Sequence, residues 1–482
     1  MRNAVILSSL LGLTTVGLLA GCPDRSISQP DINQGRVEYK DIPVSINRNI
    51  DILFVIDDSP SMSDKQTNLK NNFPGFINVL NTIEGGLPNV HIGVVTSDLG
   101  TKGAEDSGPG PSIGGCNASK NGNLQTFGAP VQGQFISDTL NADMMTRTTN
   151  YTGNLSDVFS QMATAGAMGC GFEQTIEAAK RALEPNNTAN AGFIRNDAYL
   201  AIIFLTDEDD CSMSHSSLLD GSNTSLGTLQ SFRCTRWGII CDQGGADPNA
   251  MNQVGPKGMC HSAENDTYLT KISDYVSYFK GLKSDPNNVI VAAIAGVTTP
   301  FEVEMRPPQG STTPEPALAH SCSYTDPLMK TEYGDPAVRI KELLDSFPNR
   351  STFSTICQQD LSGGLQLIAQ LLKLVIGSPC IDGTLADVDP NTAGNQYDCS
   401  VSDVTNYGKA DQQETVLPQC DHPDMTATNK PCWAIEMDPM CSTTSHLTLK
   451  VEGNQSAPDD THVVSYCVTC LDANMDGTCD QP

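Results

Sequence analysis

Three oxygen-bearing side chains at alternate positions, Asp57, Ser59 and Ser61, follow directly after a short apolar run at 52–56. An uninterrupted apolar run of this length predicts a strand that is covered on both faces within a parallel sheet. A carboxylate and two hydroxyls on one turn suit a small hard cation such as Mg2+, which keeps some waters and leaves a place for an incoming acidic group. The motif alone is weak evidence, but open α/β sheets bind ligands at the carboxyl ends of their strands. The sequence therefore predicts a metal site at the end of this strand.

The segments around this motif resemble the von Willebrand factor type A family, whose metal-ion-dependent adhesion site begins with the same motif. The resemblance covers residues 50–377 and includes two further apolar runs, at 91–98 and 198–207. The later run ends in Thr-Asp, at the place where the family supplies a distal aspartate. The resemblance therefore implies that Asp207 joins Asp57 and the two serines around the ion.

The family also uses a threonine from the loop before its third helix, and here this chain departs from the pattern. The loop runs from Thr164 to Glu173 and has no threonine at the expected place near Cys170. Thr164, Glu173 or a water molecule all stay open as the substitute ligand. The missing threonine affects the expected metal affinity more than the expected fold.

Two phrases narrow the resemblance to type A domain lipoproteins of the myxobacterial kind. They are Gly-Cys-Gly-Phe-Glu-Gln at 169–174 and Thr-Asp-Glu-Asp-Asp-Cys at 206–211. In the acidic run of the second phrase we expect one metal ligand, Asp207, and three charged neighbours. Asp58 is expected to be a solvated loop residue.

Apolar stripes with helical spacing alternate with the apolar runs from residue 64 to residue 375. This alternation predicts an α/β fold with a doubly wound, mostly parallel sheet and helices on both faces. The surplus length lies in three connections, at 100–123, 211–265 and 297–336. Insertions of this size are usually functional or disordered. For the insertion that follows Asp207, a crosslinked cap over the metal edge and a peripheral decoration both stay open.

The first residues have the pattern of a targeting segment, which is set aside before the fold is considered. An apolar stretch ends in Leu-Ala-Gly before Cys22, which resembles the cleavage site of a bacterial lipoprotein. We therefore predict a signal peptide at 1–21, lipidation of Cys22 and a polar tether at 22–49. An ordinary secretory signal and a membrane anchor are the alternatives, although the apolar stretch is too short to span a membrane comfortably.

The cysteine count agrees with export. Of seventeen cysteines, removal of Cys22 leaves sixteen, an even number that can pair completely. Half of them lie in 378–482, where apolar content is low, so this segment is predicted to be a small disulfide-rich domain. Cys170 and Cys211 both fall on loops at the metal edge, which makes them one candidate pair. Structural zinc at Cys467 and Cys470 is a weaker alternative because no second matching pair occurs.

A second set of oxygen ligands occurs near the end of the chain. Asp472, Asn474, Asp476 and Asp480 surround a glycine with the spacing of the first half of a calcium loop. The glutamate that would complete such a loop is missing. Possible Ca2+ binding and a solvated tail therefore both stay open.

The charge balance, 28 basic against 56 acidic residues, argues against binding to nucleic acid or to an anionic membrane surface. We expect a lipid-anchored protein of the bacterial cell envelope, periplasmic or surface-facing, that touches the membrane only through its lipid. Its Mg2+, or alternatively Mn2+ or Ca2+, would capture an acidic side chain of a protein partner. The alternatives are a structural envelope lipoprotein with a decayed metal site and a metal-dependent hydrolase. Because the chain has no recognisable nucleophile, zinc-protease or phosphate-loop motif, we expect it not to be an enzyme.

Overall fold

The computed structural model describes residues 36–43, 49–83, 86–141, 146–265, 268–308, 310–326, 329–377, 381, 384–386, 396–405, 411–421, 427–437, 447–452 and 462–470. The strands of the described residues are β1 (Arg36–Pro43), β2 (Asn49–Ile56), β3 (Asn89–Thr96), β4 (Ile136–Leu140), β5 (Arg147–Thr149), β6 (Tyr199–Leu205), β7 (Ile239–Gln243), β8 (Gly255–Ser262), β9 (Val289–Ala295), β10 (Phe301–Arg306), β11 (Glu315–Leu318), β12 (Cys322–Thr325), β13 (Thr331–Gly334), β14 (Ser351–Thr355), β15 (Thr384–Leu385), β16 (Cys399–Thr405), β17 (Gln413–Leu417), β18 (Cys432–Met437), β19 (Leu447–Glu452) and β20 (His462–Cys470). The α-helices are α1 (Ser63–Asn81), α2 (Leu155–Met162), α3 (Thr175–Leu183), α4 (Phe232–Gly238), α5 (Pro248–Met251), α6 (Ile272–Lys280), α7 (Val338–Asp345) and α8 (Ser362–Gly377).

A seven-stranded sheet forms the centre of the fold, with the strand order β14-β9-β6-β2-β3-β4-β5. The five strands from β14 to β3 are parallel, and β4 and β5 join the edge in antiparallel orientation. The predicted fold class is confirmed: this is a doubly wound, mostly parallel α/β sheet. Strand β2, which ends at Ile56, lies in the middle between β3 and β6.

Helices cover both faces of this sheet, and successive residues of β2 pack on opposite sides. Ile52, Phe54 and Ile56 belong to the core beneath α1, α2 and α8. Leu53 and Val55 belong to the core beneath α3, α6 and α7. Because side chains alternate along a strand, burial on both faces requires the continuous apolar run seen in the sequence.

The predicted insertions carry their own structure at the carboxyl end of the sheet. They include a small sheet with the order β11-β10-β8-β7 and the hairpin β12-β13. Disulfides hold them in place: Cys211–Cys234, Cys241–Cys260 and Cys322–Cys357. The predicted bridge between Cys170 and Cys211 is wrong, because Cys170 pairs with Cys116. Sequence order cannot reveal such pairing, which depends on which loops meet in space.

The C-terminal segment forms the hairpin β18-β19 and, together with β1, a second, antiparallel sheet with the order β1-β20-β16-β17, in which β15 also pairs with β20. Two disulfides, Cys399–Cys467 and Cys420–Cys432, support the prediction of a disulfide-rich module and exclude Cys467 as a zinc ligand. The tether predicted at 22–49 differs from the structure in one part, because Arg36–Pro43 form strand β1 of this sheet. The eight residues of β1 pair along β20 from Arg36 opposite Thr469 to Pro43 opposite His462. This polar segment gives no strand signal alone, since its backbone partner lies more than four hundred residues away.

No helix within the described ranges has both the length and the apolar content needed to cross a membrane. The predicted signal peptide at 1–21 and the lipidation site Cys22 lie outside the described residues. The same is true of the possible calcium ligands Asp472, Asn474, Asp476 and Asp480.

Candidate functional site

The predicted metal motif lies at the carboxyl end of the central strand. Asp57 follows β2, and its backbone N–H donates to the carbonyl of Leu205 at the end of β6 (2.9 Å). A single 3-10 turn at Pro60–Met62 then leads into α1. The parallel pairing of β2 with β6 brings the residues that follow each strand to the same edge. Asp57 and Asp207 therefore share one end of the sheet.

Hydrogen bonds join the four principal predicted ligands into one group. The Ser59 Oγ and Ser61 Oγ atoms lie 3.0 Å apart, and Ser61 Oγ donates to Asp207 Oδ1 at 3.0 Å. The Ser59 N–H donates to Asp57 Oδ1 (2.8 Å). Ser61 is exposed whereas the other three are buried, so the group is accessible from solvent at Ser61. The structure thus brings together residues 146 positions apart in the sequence.

Two hydroxyls that were not predicted hold the Asp57 carboxylate in place. Thr206 Oγ1 donates to Asp57 Oδ2 at 2.7 Å, and Ser97 Oγ donates to Asp57 Oδ1 at 3.3 Å. Thr206 belongs to the Thr-Asp pair after β6, and Ser97 follows β3. The sequence contains a signal for both, since each is a polar residue that directly follows an apolar run predicted to be a strand.

Lys65 is the most important residue that the sequence analysis missed. Its ammonium group lies 2.7 Å from Asp207 Oδ2 and 3.2 Å from Glu332 Oε2, and it also donates to the Ser61 carbonyl at 3.3 Å. Lys65 is only 2 % exposed. Burial lowers the pKa of Lys65, but the carboxylates of Asp207 and Glu332 outweigh it, so the pKa is raised and the group is charged. A cation from α1 therefore already lies against a predicted metal ligand.

Of the two candidate substitutes for the missing threonine, only Glu173 faces the group. Thr164 is an exposed residue just after α2, and its hydroxyl donates to the carbonyl of Ser160 in that helix (3.0 Å). Glu173 is buried, and its Oε1 atom has no hydrogen-bond partner among the described residues. The charges of Glu208 and Asp57 act on it directly. Thr164 bonds back to α2 because a hydroxyl at the end of a helix readily reaches the carbonyl four residues earlier.

The buried carboxyls of the group repel one another. Burial, with a contribution from the charge of Asp207, raises the pKa of Asp57 to about 7. Burial and neighbouring carboxylates also raise the pKa values of Glu173 and Glu208 well above the usual range. Burial likewise raises the pKa of Asp207, although Lys65 acts in the opposite direction. Within the described part of the chain, Lys65 is the only basic side chain in an ion pair with any of these four carboxyls.

The remaining members of the acidic run have structural partners. Asp209 accepts from the Arg339 and Ile340 N–H groups at the start of α7 (3.0 and 3.3 Å). Asp210 pairs with the Arg339 guanidinium at 3.2 Å. Asp58, expected in solvent, is instead buried and pairs with Lys120. These three carboxylates are therefore explained by helix capping and ion pairing.

The loop that carries Glu173 is fixed tightly against the metal motif. The Gly169 N–H donates to the Asp58 carbonyl (2.7 Å), and Gln66 bonds to the N–H and carbonyl of Gly166 (2.9 and 2.5 Å). A Cβ atom on Gly169 would lie 2.4 Å from Asp58 Oδ1, so only glycine permits this approach. The Cys116–Cys170 disulfide adds a covalent restraint. The loop therefore has a defined position beside Asp57.

By donor type, the residues present suit a small hard cation. Two serine hydroxyls and the carboxylates of Asp57 and Asp207 converge at an edge with excess negative charge, and the buried Glu173 oxygen without a partner lies beside them. No group of three or more His, Cys, Asp or Glu side chains in the described ranges is arranged to hold a metal ion. A metal bound here would therefore depend on the two hydroxyls and would compete with Lys65 for Asp207.

No protein-family model and no curated protein matches the chain. Several solved structures are similar to it at low identity. Protein BatB from Bacteroides thetaiotaomicron is 11 % identical, with 68 % of this chain and 100 % of that chain covered and a TM-score of 0.26. The pilus adhesin SpaC from Lactobacillus rhamnosus GG is 11 % identical, with 91 % and 43 % covered and a TM-score of 0.30. A von Willebrand factor type A protein from Catenulispora acidiphila is 10 % identical, with 92 % and 66 % covered and a TM-score of 0.25.

Proposed function

We propose that this chain is a protein-binding module of the von Willebrand factor type A kind, lipid-anchored outside the cytoplasm. A divalent cation held by Asp57, Ser59, Ser61 and Asp207 captures an acidic group of a protein partner. The observation that carries the proposal is the 3.0 Å contact between Ser61 Oγ and Asp207 Oδ1 at an accessible edge of the sheet. Mg2+ is the first candidate ion, with Mn2+ and Ca2+ as alternatives.

The charge of the protein explains why such an ion is useful. With a formal net charge of −28, the molecule repels an acidic partner over most of its surface. A bound cation supplies a local positive charge and an open coordination position for one carboxylate. Ser61 is the exposed member of the group and marks the side from which that carboxylate approaches.

The disulfides support the extracytoplasmic setting. Six bridges occur among the described residues, and such bridges form and persist in oxidising compartments. The lipid anchor on Cys22 belongs to the proposal on the strength of the sequence pattern. Mass spectrometry of the mature N-terminus tests it directly, because acylation adds a defined mass to the peptide that begins at Cys22.

The decisive experiment combines metal titration with partner capture. Calorimetry with Mg2+, Mn2+ and Ca2+ is expected to show saturable binding to the full chain and none to the Asp57→Ala variant. Crosslinking in intact cells is expected to capture a partner that is lost with chelator and with the same variant. Asp157→Asn serves as the control because that carboxylate is exposed on α2, away from the site. Capture that survives in Asp57→Ala would overturn the proposal.

One observation favours a second candidate, a structural envelope protein whose metal site has decayed. Lys65 already neutralises Asp207, so the group holds an internal cation without any metal. This candidate predicts no heat of binding with any of the three ions. It also predicts crosslinked neighbours that do not respond to chelator.

Both candidates make the chain a binding or structural protein rather than an enzyme. The pure protein is therefore expected not to turn over esters, phosphate esters or peptides. Turnover that disappears in Asp57→Ala would instead support a metal-dependent hydrolase.

A further inference from the structure

A pocket of about 480 Å³ lies between the long connection that follows β3 and helix α3. It is lined by residues 99–102, 109–112, 116–119 and 121 of the connection and by Arg181 of α3. The volume is within the range of roughly 300–1,000 Å³ that is typical of small-molecule sites. The pocket is therefore large enough for a small organic ligand, and none of the proposed metal ligands lines it.

The lining contains two basic side chains and no acidic one, in a protein with a formal net charge of −28. Lys102 is exposed, and its ammonium group has neither a hydrogen bond nor an ion pair with any described residue. Arg181 Nε donates to Glu177 Oε1 (3.0 Å) and Arg181 Nη1 to Asn121 Oδ1 (3.5 Å), whereas Nη2 has no partner in the described part of the chain. Arg181 is thus partly engaged, and Lys102 keeps an uncompensated charge. This charge favours a ligand that is negative.

The neutral side chains of the pocket add hydrogen-bond donors whose acceptor atoms are already used. Asn117 Oδ1 accepts from the Ser112 hydroxyl and from the Ile113 N–H, both at 3.0 Å, so its NH2 group is left without a partner among the described residues. Ser119 Oγ accepts from the Asn121 N–H at 3.0 Å, which leaves its hydroxyl hydrogen to donate. A pocket whose free groups are mainly donors suits a ligand that is rich in acceptors, above all an oxyanion.

Hydrogen bonds and a disulfide fix the shape of the connection around the pocket. Thr101 Oγ1 donates to the Pro111 carbonyl at 2.7 Å. A Cβ atom on Gly110 would lie 2.0 Å from the Thr101 carbonyl oxygen, so only glycine permits this close approach. The Cys116–Cys170 disulfide joins the other end of the connection to the loop beside the metal motif. A pocket that is already ordered loses little conformational entropy when a ligand binds.

Apolar groups form part of the lining and indicate that the ligand has an organic body. They belong to Leu99, Pro109 and Pro111. A bare phosphate or acetate ion would leave most of these surfaces uncovered. A sugar ring has C–H groups that pack on apolar surface, and it has hydroxyls that accept hydrogen bonds from amide and hydroxyl donors. The basic groups, the neutral donors and the prolines together match a sugar that carries a carboxylate or a phosphate.

We propose that this pocket binds an acidic sugar, either a uronic acid or a sugar phosphate. The carboxylate or phosphate interacts with the Lys102 ammonium group and with Arg181 Nη2, and Asn117 and Ser119 donate to the sugar hydroxyls. The ligand binds without a metal ion. This site therefore acts independently of the proposed capture of a protein partner.

The test is calorimetric titration of the full chain with glucuronic acid and with glucose-6-phosphate, and with glucose and inorganic phosphate as reference probes. The buffer is Tris-chloride freed of metal ions by a chelating resin, because EDTA is itself a polycarboxylate that would compete for the pocket. Saturable binding of at least one acidic sugar is expected, and the tighter of the two shows whether a carboxylate or a phosphate is preferred. Glucose and inorganic phosphate are expected to bind weaker by about 10-fold or more, because each lacks one part of the ligand.

Lys102→Gln is expected to weaken binding of the acidic sugar about 10-fold, because it removes a charge-assisted hydrogen bond and keeps most of the side chain. Arg181→Gln is a second variant with the same expected loss. Lys70→Gln is the matched control, because Lys70 is an exposed lysine on α1 that does not line the pocket. Its affinity for the sugar is expected to equal that of the unaltered chain. Thermal unfolding of each variant verifies that it is folded.

Three results would each overturn the proposal. The first is that neither acidic sugar binds saturably. The second is that glucose or inorganic phosphate binds as tightly as the acidic sugars. The third is that Lys102→Gln leaves the affinity unchanged or weakens it no more than Lys70→Gln does. Because the buffer contains no divalent cation, a failure here leaves the metal proposal intact, and a failure of metal binding leaves this one intact.

Discussion

The Lys65 ammonium group lies 2.7 Å from Asp207 Oδ2, so a cation from the first helix neutralises the carboxylate that the proposed metal ion also needs. Both side chains are buried, at 2 % and 4 % exposed. Glu332, from the β12-β13 hairpin, lies on the other side of the same ammonium group at 3.2 Å. An insertion is thereby linked to the proposed metal site through one lysine.

Lys65→Met is expected to increase the affinity for Mg2+ by about 10-fold, because the metal no longer competes with an internal cation for Asp207. Without metal, the same variant is expected to lose about 3–5 kcal/mol in free energy of unfolding, since the buried Asp207 carboxylate loses its only cationic partner in the described part of the chain and Glu332 keeps only Lys330. Calorimetry and chemical denaturation with and without Mg2+ measure the two effects. An unchanged or lower Mg2+ affinity would contradict competition between lysine and metal.

The Cys322–Cys357 disulfide holds the hairpin that carries Glu332, since it joins β12 to the segment after β14. Replacing both cysteines by serine is expected to destabilise the protein by about 4 kcal/mol, the loop-closure entropy for a sequence separation of 35 residues. It should also expose Lys65 to acylating reagents several-fold more often. Mass spectrometry of the acylated peptides measures this rate. Lys341, which is partly exposed on α7, is the internal control, and equal changes at both lysines would argue against a local effect.

His91, which lies far from the metal edge, is expected to make the stability of the protein depend on pH. Burial lowers its pKa to about 4, and its Nδ1 atom bonds to the Phe193 carbonyl at 2.8 Å. As pH falls below about 6.5, His91 becomes protonated in the unfolded chain but stays neutral in the folded protein. The stability contributed by the neutral ring is therefore present above pH 6.5 and is lost as pH falls toward 4.

His91→Gln is expected to lose less stability on acidification than the unaltered chain, by at most about 3 kcal/mol between pH 7 and pH 4. Urea unfolding of both proteins at several pH values gives the difference between their free energies of unfolding. The contributions of titrating groups that both proteins share largely cancel in this difference. A difference that stays constant with pH would show that His91 does not titrate as its burial implies.

Phe159 connects α2 to the sheet and to α1 through ring contacts with Phe54 (centroids 4.7 Å apart) and Phe73 (4.2 Å). It is completely buried, so Phe159→Ala is expected to cost about 3–5 kcal/mol in free energy of unfolding. Met168→Ala is the control, since Met168 is 90 % exposed and should change stability by less than about 0.5 kcal/mol. Guanidinium denaturation measures both. Similar losses in the two variants would contradict this account of the core.

The sequence by itself determined the α/β fold and the position of the metal motif. Continuous apolar runs such as 52–56 favour strands that are buried on both faces, and the helical stripes between them favour a parallel sheet. Asp57 and the two serines follow such a run directly, so their place at the edge of the sheet was predictable. These signals are local, which is why a single sequence contains them.

Only the tertiary structure decided the features that join distant segments. Lys65 and Glu332 are 267 residues apart, and β1 pairs with β20 across nearly the whole chain. The pairing of Cys170 with Cys116 rather than with Cys211 is of the same kind. The residues of these contacts do not belong to a periodic pattern in the sequence. Their partners are determined by how distant segments pack against each other. Local residue patterns predict helices and strands, but they do not show which residues of two distant loops will contact each other. That depends on how the loops pack in the folded protein.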